Sequence, residues 1–459
     1  MAPAAEGTTR IPVKIADCFL LALDAFMRRT GQGAHFSQSV IELSSCPDLI
    51  RVRSTLSRFT KKHPLLFARL RRDWKTWLPY WEIVSENKRP PLPFGVWHES
   101  GSEGLLGLKV PEIEDGATFL EDRLSQSVSA DGLPFNARLD IVEKRDGRYL
   151  VAFTWSHRVI DGKGAELLLT EFGKLCDGVD EAYDYKETPR SKTTLTEKRQ
   201  HAHALLVRFD ELAALGVHSL GGPEPKPGAC RFQVLTLNSS DSAKVRTRAD
   251  QLCGPLFSLP YYLACASRAH ATVFRSRGKD PSCYVSGVPI QARKRGARGP
   301  LFHNQVSVFF FACLRQDISS MELAAAALKK QFTEMTRQKL DESFTTMLEI
   351  MMRMPSWLFM RIVRWQFQGE INSFFYSHTG VFAPEMTTFA GAGIENAWHL
   401  PCLGRPPGTG VFFSERNEKL TITLSWREGC LSEQERVLMT TQIIEDLLGS
   451  PQPRLANAV

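Results

Sequence analysis

Apolar and polar positions along this chain follow two periods, three to four residues in some stretches and two in others, so helices and strands are interleaved from end to end. Residues 16–29 carry the apolar spacing of an amphipathic helix, closed by Gly31. A strand is predicted over 36–43, and a helix over 49–62 that Pro64 ends. Another helix is predicted near 119–128. Residues 136–143 then alternate apolar and polar, Asp146-Gly147 supplies a tight turn, and 148–155 return as a second strand. A helix follows over 165–175.

Composition shifts between about 177 and 228. That stretch is charged, partly helical over 195–215, and ends in Gly221-Gly222-Pro223-Glu224-Pro225-Lys226-Pro227-Gly228, a stiff run in which a helix cannot continue. It divides the chain into 1–190, a linker or crossover 191–228, and 229–459. The second half opens with a strand over 231–237 and helices near 242–252 and 259–275. Strands over 283–289 and 305–314 follow, the second very apolar around Val306-Ser307-Val308-Phe309-Phe310-Phe311 and reading as a buried central strand. Helices over 320–337 and 355–367 lead to a strand from 374 and a hairpin of 410–414 with 420–426. The last helix is started by a Ser432/Glu435 capping box and ended by Gly449. Both halves mix strands and helices in a similar way, an α/β (α+β) chain too long for one hydrophobic core.

With 43% hydrophobic and 23% charged residues the chain is globular rather than disordered. A net charge of +7 suits anionic ligands: phosphates, the acidic face of a carrier protein, or anionic lipid. Nucleic acid is not expected as a partner, because the short clusters Arg69-Leu70-Arg71-Arg72 and Arg293-Lys294-Arg295 read as solvated faces and no recognition motif accompanies them. The ten cysteines, from Cys18 to Cys430, form no CxxC or metal-type spacing, so reduced and mostly buried thiols of a cytoplasmic protein are expected. No metal site, P-loop or GxGxxG pattern is present. Residues 1–10 lack a signal-peptide pattern, and Asp17 and Asp24 interrupt the apolar run around Cys18-Phe19-Leu20-Leu21, which is too short and polar to span a bilayer.

The candidate chemistry lies where the second strand of the first hairpin ends, in His157-Arg158-Val159-Ile160-Asp161-Gly162. A strand-to-helix connection presents side chains to a cleft on a rigid scaffold. Acyl transfer needs a base to take the acceptor's proton, and neutral imidazole, with an ordinary pKa of about 6.5, suits that role. Gly162 allows close approach after the turn. Asp161 has two readings: it orients His157, or it binds a distant arginine and shapes the loop. A lone histidine at a strand end also serves readily as a structural residue, so the surrounding segments matter.

Those segments resemble the chloramphenicol-acetyltransferase-like superfamily, which includes nonribosomal-peptide condensation domains, wax-ester/diacylglycerol acyltransferases and alcohol acyltransferases. Ser156 to Gly162 fits that group's H-H-x-x-x-D-G pattern in all but the first histidine, which is Ser156 here. His63-Pro64-Leu65-Leu66 is similar to its "HPxL" helix end. Val288-Pro289-Ile290-Gln291-Ala292-Arg293, followed by His303-Asn304-Gln305-Val306-Ser307, resembles its "vPvxxR … GNxxs" segment, with His303 where a glycine is usual. Tyr376-Ser377-His378-Thr379-Gly380 resembles its "SNxG" strand end, with His378 in place of the asparagine.

The resemblance implies two chloramphenicol-acetyltransferase-like subdomains, pseudo-dimeric, with a channel between them. His157 is then the general base, with Asp161 and Gly162 completing the motif and Arg293 the structural partner of Asp161. Ser156, Asn304, Ser377, His378 and Gly380 are assigned to the channel. The implied activity moves an acyl group from acyl-CoA or a phosphopantetheinyl carrier thioester to an alcohol or amine, in lipid or secondary-metabolite biosynthesis, with no tightly bound cofactor. An acyl carrier protein is a candidate partner. The Ser156 and His378 departures leave open a non-catalytic module that binds a carrier protein or acyl ligand. The helix over 355–367, with Arg361, Arg364 and Gln368 along one stripe, has two readings: contact with a lipid surface, or domain packing with a solvated arginine stripe. Met347, Met351, Met352 and Met354 line an apolar pocket or pack in the core.

Overall fold

The strand Phe36–Leu43 and the helix Leu49–Lys62 form over the residues that the apolar pattern predicts. Asp48 starts that helix, its carboxylate accepting from the amides of Ile50 and Arg51. All eight residues of the strand are buried, since successive side chains point into different cores: Phe36 and Val40 into one, Ile41 and Leu43 into another. These elements come from a computed structural model that describes residues 9–101, 110–125, 129–130, 133–180, 194–255, 257–294 and 296–449. Residues 126–128 of the predicted helix 119–128, Arg295, and the division at 190–191 lie outside the described residues.

Two main sheets organise the chain. The first has seven strands in the order Thr388–Phe389, Ala392–Pro401, Phe36–Leu43, Tyr149–Ser156, Ala137–Glu143, Phe94–Glu99 and Glu112–Ile113. The second has four, in the order Cys230–Thr236, Lys419–Arg427, Thr409–Arg416 and Phe375–Val381, the last pair parallel. The antiparallel pair Cys283–Gln291 and Val306–Leu314 adjoins this second sheet through side chains as well as main chain. The Val285 amide donates to Ser373 Oγ (2.9 Å), the Ser373 amide donates to the Val285 carbonyl (2.7 Å), and the Gly287 amide donates to Asn372 Oδ1 (3.1 Å).

Each sheet has its own hydrophobic core, and a third apolar cluster joins them. In it Leu23, Phe26 and Met27 of the helix Asp17–Arg29 meet Phe310, Phe344, Phe359 and Leu403. One strand crosses between the halves. Ala392–Pro401 follows the second sheet's first strands in sequence, yet pairs antiparallel with Phe36–Leu43 in the first sheet. The apolar pattern does not predict this strand, nor the helix Leu340–Met351. At the C-terminus, Ser432 and Glu435 form the predicted capping box, and Gly449, at φ 73°, ends the helix Glu433–Leu448. Among the described residues, all ten cysteines are free thiols, with Cys46 alone not fully buried. No described helix is long and apolar enough to cross a membrane.

Candidate active site

His157 follows directly on the buried strand Tyr149–Ser156, and its amide continues the ladder by donating to the His35 carbonyl (3.1 Å). Its ring stacks on that of His35 (centroids 5.0 Å apart, 18° between planes) and meets Trp155 edge to face (5.0 Å, 63°). The residue sits deep in the protein yet lines a cavity of about 930 Å³ between the two halves. Burial pushes its imidazole below the ordinary value, while its own carbonyl, Asp161, Asn304 and Asp17 pull the other way. The net shift is downward, so His157 is neutral at neutral pH and able to accept a proton. Burial, then the neighbouring His157, push His35 down to about 3.

Asp161 does not face His157 as a relay carboxylate, because both its oxygens are engaged. Oδ1 caps the helix Gly162–Cys176 by accepting from the Gly164 amide (2.7 Å). Oδ2 accepts from Arg293 (2.6 Å) and from the Gln305 amide (2.8 Å). Arg293 donates its remaining nitrogens to the Pro300 carbonyl (3.0 and 2.7 Å). The two side chains are 3% and 2% exposed, so this is a buried ion pair with its hydrogen-bonding capacity filled. It clamps the 293–305 loop onto the start of the helix. Gly164 makes that contact sterically feasible, since a Cβ there would stand 2.3 Å from the Leu301 carbonyl oxygen. At Gly162 a Cβ would meet nothing nearer than His399, at 4.0 Å, so the protein's own packing does not require a glycine there.

Ser156 and Asn304 do not line the cavity; both stand behind its wall. Ser156 points to Arg158, whose Nε donates to its hydroxyl (3.1 Å). Asn304 donates through Nδ2 to the His157 carbonyl (3.0 Å) and to Asp17 (2.8 Å), and its amide also donates to Asp17 (2.7 Å). Its Oδ1 is buried with no partner, as is His157 Nδ1. An acceptor lacking a donor beside a nitrogen lacking a partner favours the tautomer with the proton on Nδ1, which leaves the Nε2 lone pair free. His303 stands at φ 65°, a conformation easy for glycine, and its ring bonds Asp17 (2.8 Å). Asp17, the fully buried anchor of this cluster, carries no motif that would mark it in the sequence.

Ser377, His378 and Gly380 line the cavity on the strand Phe375–Val381. His378 packs its ring against Tyr262 (4.6 Å), with Nε2 3.5 Å from Glu415. That contact is the chief cause holding the Glu415 carboxyl below its usual value. Further wall residues that motif reading misses are His35, Trp155, Glu166 and His399. The four methionines at 347, 351, 352 and 354 do not line the cavity, but Phe344, on the helix that carries the first two, does. Among the described residues, no cluster of three His, Cys, Asp or Glu side chains could hold a metal ion.

Neither a family model nor a curated protein matches this sequence. Solved structures do. The first condensation domain of the calcium-dependent antibiotic synthetase superposes with a TM-score of 0.69 at 13% identity, over 97% of each chain. The fold is that of the condensation domains. The same condensation-domain fold is seen in TRI3, the trichothecene 15-O-acetyltransferase of Fusarium sporotrichioides, which superposes with a TM-score of 0.69 at 11% identity, over 97% of each chain. It is seen again in the starter condensation domain of rhizomide synthetase, solved with C8-CoA and Leu-SNAC (TM-score 0.63, 10% identity, 96% of this chain and 94% of that one). A mixed α/β fold of two subdomains is thus shared by this chain and these structures.

Proposed function

We propose that this protein is an acyltransferase that moves an acyl group from a CoA or carrier-protein thioester to an alcohol or amine, with His157 as general base. One observation carries the reading: a neutral imidazole, gripped by two aromatic rings, faces a large cavity while its motif carboxylate is fully occupied elsewhere. His157 Nε2 takes the acceptor's proton as the oxygen or nitrogen attacks the thioester carbonyl. The tetrahedral adduct then collapses, the C–S bond breaks, and the imidazolium returns the proton to the departing thiolate. Ser377 lines the cavity, and its hydroxyl makes no hydrogen bond within the described residues, so it is free to donate to the oxyanion. The acetyltransferase and the C8-CoA-bound neighbour support this reaction class by analogy of fold.

The cavity wall bears on the substrates. One stretch is apolar: Phe19, Leu20, Leu23, Val308, Phe310 and Phe344. Another carries the exposed cations Lys294 and Arg298, suited to the phosphates of CoA or of a phosphopantetheine arm. An apolar acyl chain therefore fits better than acetyl. Burial of each methylene is worth about 0.8 kcal/mol, so kcat/KM should rise by roughly tenfold for every two methylenes from acetyl to octanoyl donors. A flat or falling series in a thiol-release assay would rule out that placement.

A lipid surface is a second candidate contact. The helix Ser356–Gln366 packs Phe359, Met360 and Val363 inward but leaves Trp357, Ile362 and Trp365 50%, 41% and 82% exposed, beside Arg361. Co-sedimentation with phosphatidylserine vesicles is expected, weakened in a W357A/W365A variant. Absence of binding by the wild type would remove the membrane from the account.

A further inference from the structure

Beside His157 a chain of four polar side chains, three of them lining the cavity and the fourth behind it, is not used by the proposed mechanism. Trp155 Nε1 donates to Ser39 Oγ (3.2 Å), Ser39 Oγ lies 3.1 Å from His399 Nδ1, and His399 Nε2 lies 3.0 Å from Glu166 Oε1. Glu166 Oε2 in turn accepts from Lys163 (2.7 Å) and from the Ala383 amide (3.2 Å). The four come from four separate elements: the helix Gly162–Cys176 and three strands. Ser39 and His399 are directly opposite in the ladder between Phe36–Leu43 and Ala392–Pro401.

The direction of the hydrogen bonds is set from the two ends, an indole that only donates and a carboxylate that only accepts. The Glu166 carboxylate draws the proton of the neutral His399 ring to Nε2, Nδ1 then accepts from the Ser39 hydroxyl, and the Trp155 indole donates to the Ser39 oxygen. The chain therefore runs one way, from Trp155 to an anion compensated by Lys163. Serine, histidine and glutamate in this order also form the pattern of a hydrolytic triad. Here Ser39 is 0% exposed, does not line the cavity, and has the Trp155 N–H on its oxygen, so no ester can reach it. Trp155 and His399 do line the cavity. Trp155 is also the ring set edge to face against His157.

We propose that Trp155, Ser39, His399 and Glu166 form a positioning network that holds the indole against His157 and so fixes the base's ring for proton transfer. The proposal rests on the reading of His157 as the base. Deleting a link frees the indole, and misplacement of a reacting group by about 1 Å costs on the order of a hundredfold. The test compares S39A and H399L with H399Q, whose amide can accept from Ser39 and donate to Glu166, each checked by circular dichroism for a native fold.

Expected are kcat losses of roughly tenfold to a hundredfold in S39A and H399L, with the KM for the acyl-CoA donor unchanged, a displaced acid limb of kcat/KM, and substantial recovery in H399Q. Wild-type kcat in S39A and H399L would overturn the proposal, as would a loss expressed in KM alone or one that H399Q shares in full. H157A, run alongside, separates the two claims. If it is inactive while S39A and H399L are fully active, only the network fails. If H157A turns over normally, the base assignment fails and the network with it.

Discussion

Replacing His157 with Ala should lower kcat by roughly a hundredfold to ten-thousandfold while leaving the fold and thioester-donor binding in place. The ring is held by His35 and Trp155 and is uncharged at neutral pH, so its removal costs packing rather than a buried charge. The wild-type pH profile should agree. Because burial sets the imidazole below its ordinary value, the unprotonated form persists as pH falls through about 6.5. The acid limb of kcat/KM should therefore begin below that point and vanish from the residual activity of H157A. Unchanged turnover in H157A would end the enzymatic reading.

Arg293→Met should give the largest loss of stability. It strands the Asp161 carboxylate, 3% exposed, with only two main-chain amides as partners, and it removes two donors from the Pro300 carbonyl. Breaking one side of a buried ion pair costs about 3–5 kcal/mol. Asp161→Asn in the same chain removes the stranded charge, so the D161N/R293M double variant should regain part of that loss in urea unfolding. Activity should fall in both, since the 293–305 loop loses its clamp on the helix that follows His157. A double variant no more stable than R293M would mean that the pair's charge is not what holds the loop.

Much of this site was legible in the residues. The His157–Gly162 run declares its strand-to-helix placement, because hairpin alternation ends at Trp155 and helical spacing begins just beyond. The strand Ala392–Pro401 was not legible. Its register shifts between Ile394 and Asn396, which breaks the two-residue alternation, and most of its side chains are buried, so neither face looks polar. With that strand went His399, and with His399 the meaning of Glu166 and Ser39. The helix Leu340–Met351 was missed for another reason: Lys339, at φ 52°, turns the chain with no glycine or proline to mark the break. Asp17 and His35 belong to the site only through contacts with residues far away in sequence, which no local period records.

The most direct test of acyl transfer is a mass balance on the purified protein, supplied with octanoyl-CoA and a panel of alcohols and amines. Free thiol and acylated acceptor are measured together. The account predicts that both rise one for one with a suitable acceptor, in the wild type and not in H157A. Tight binding of the donor with no thiol released and no acylated product, across the whole panel, would contradict it and leave a binding module in its place.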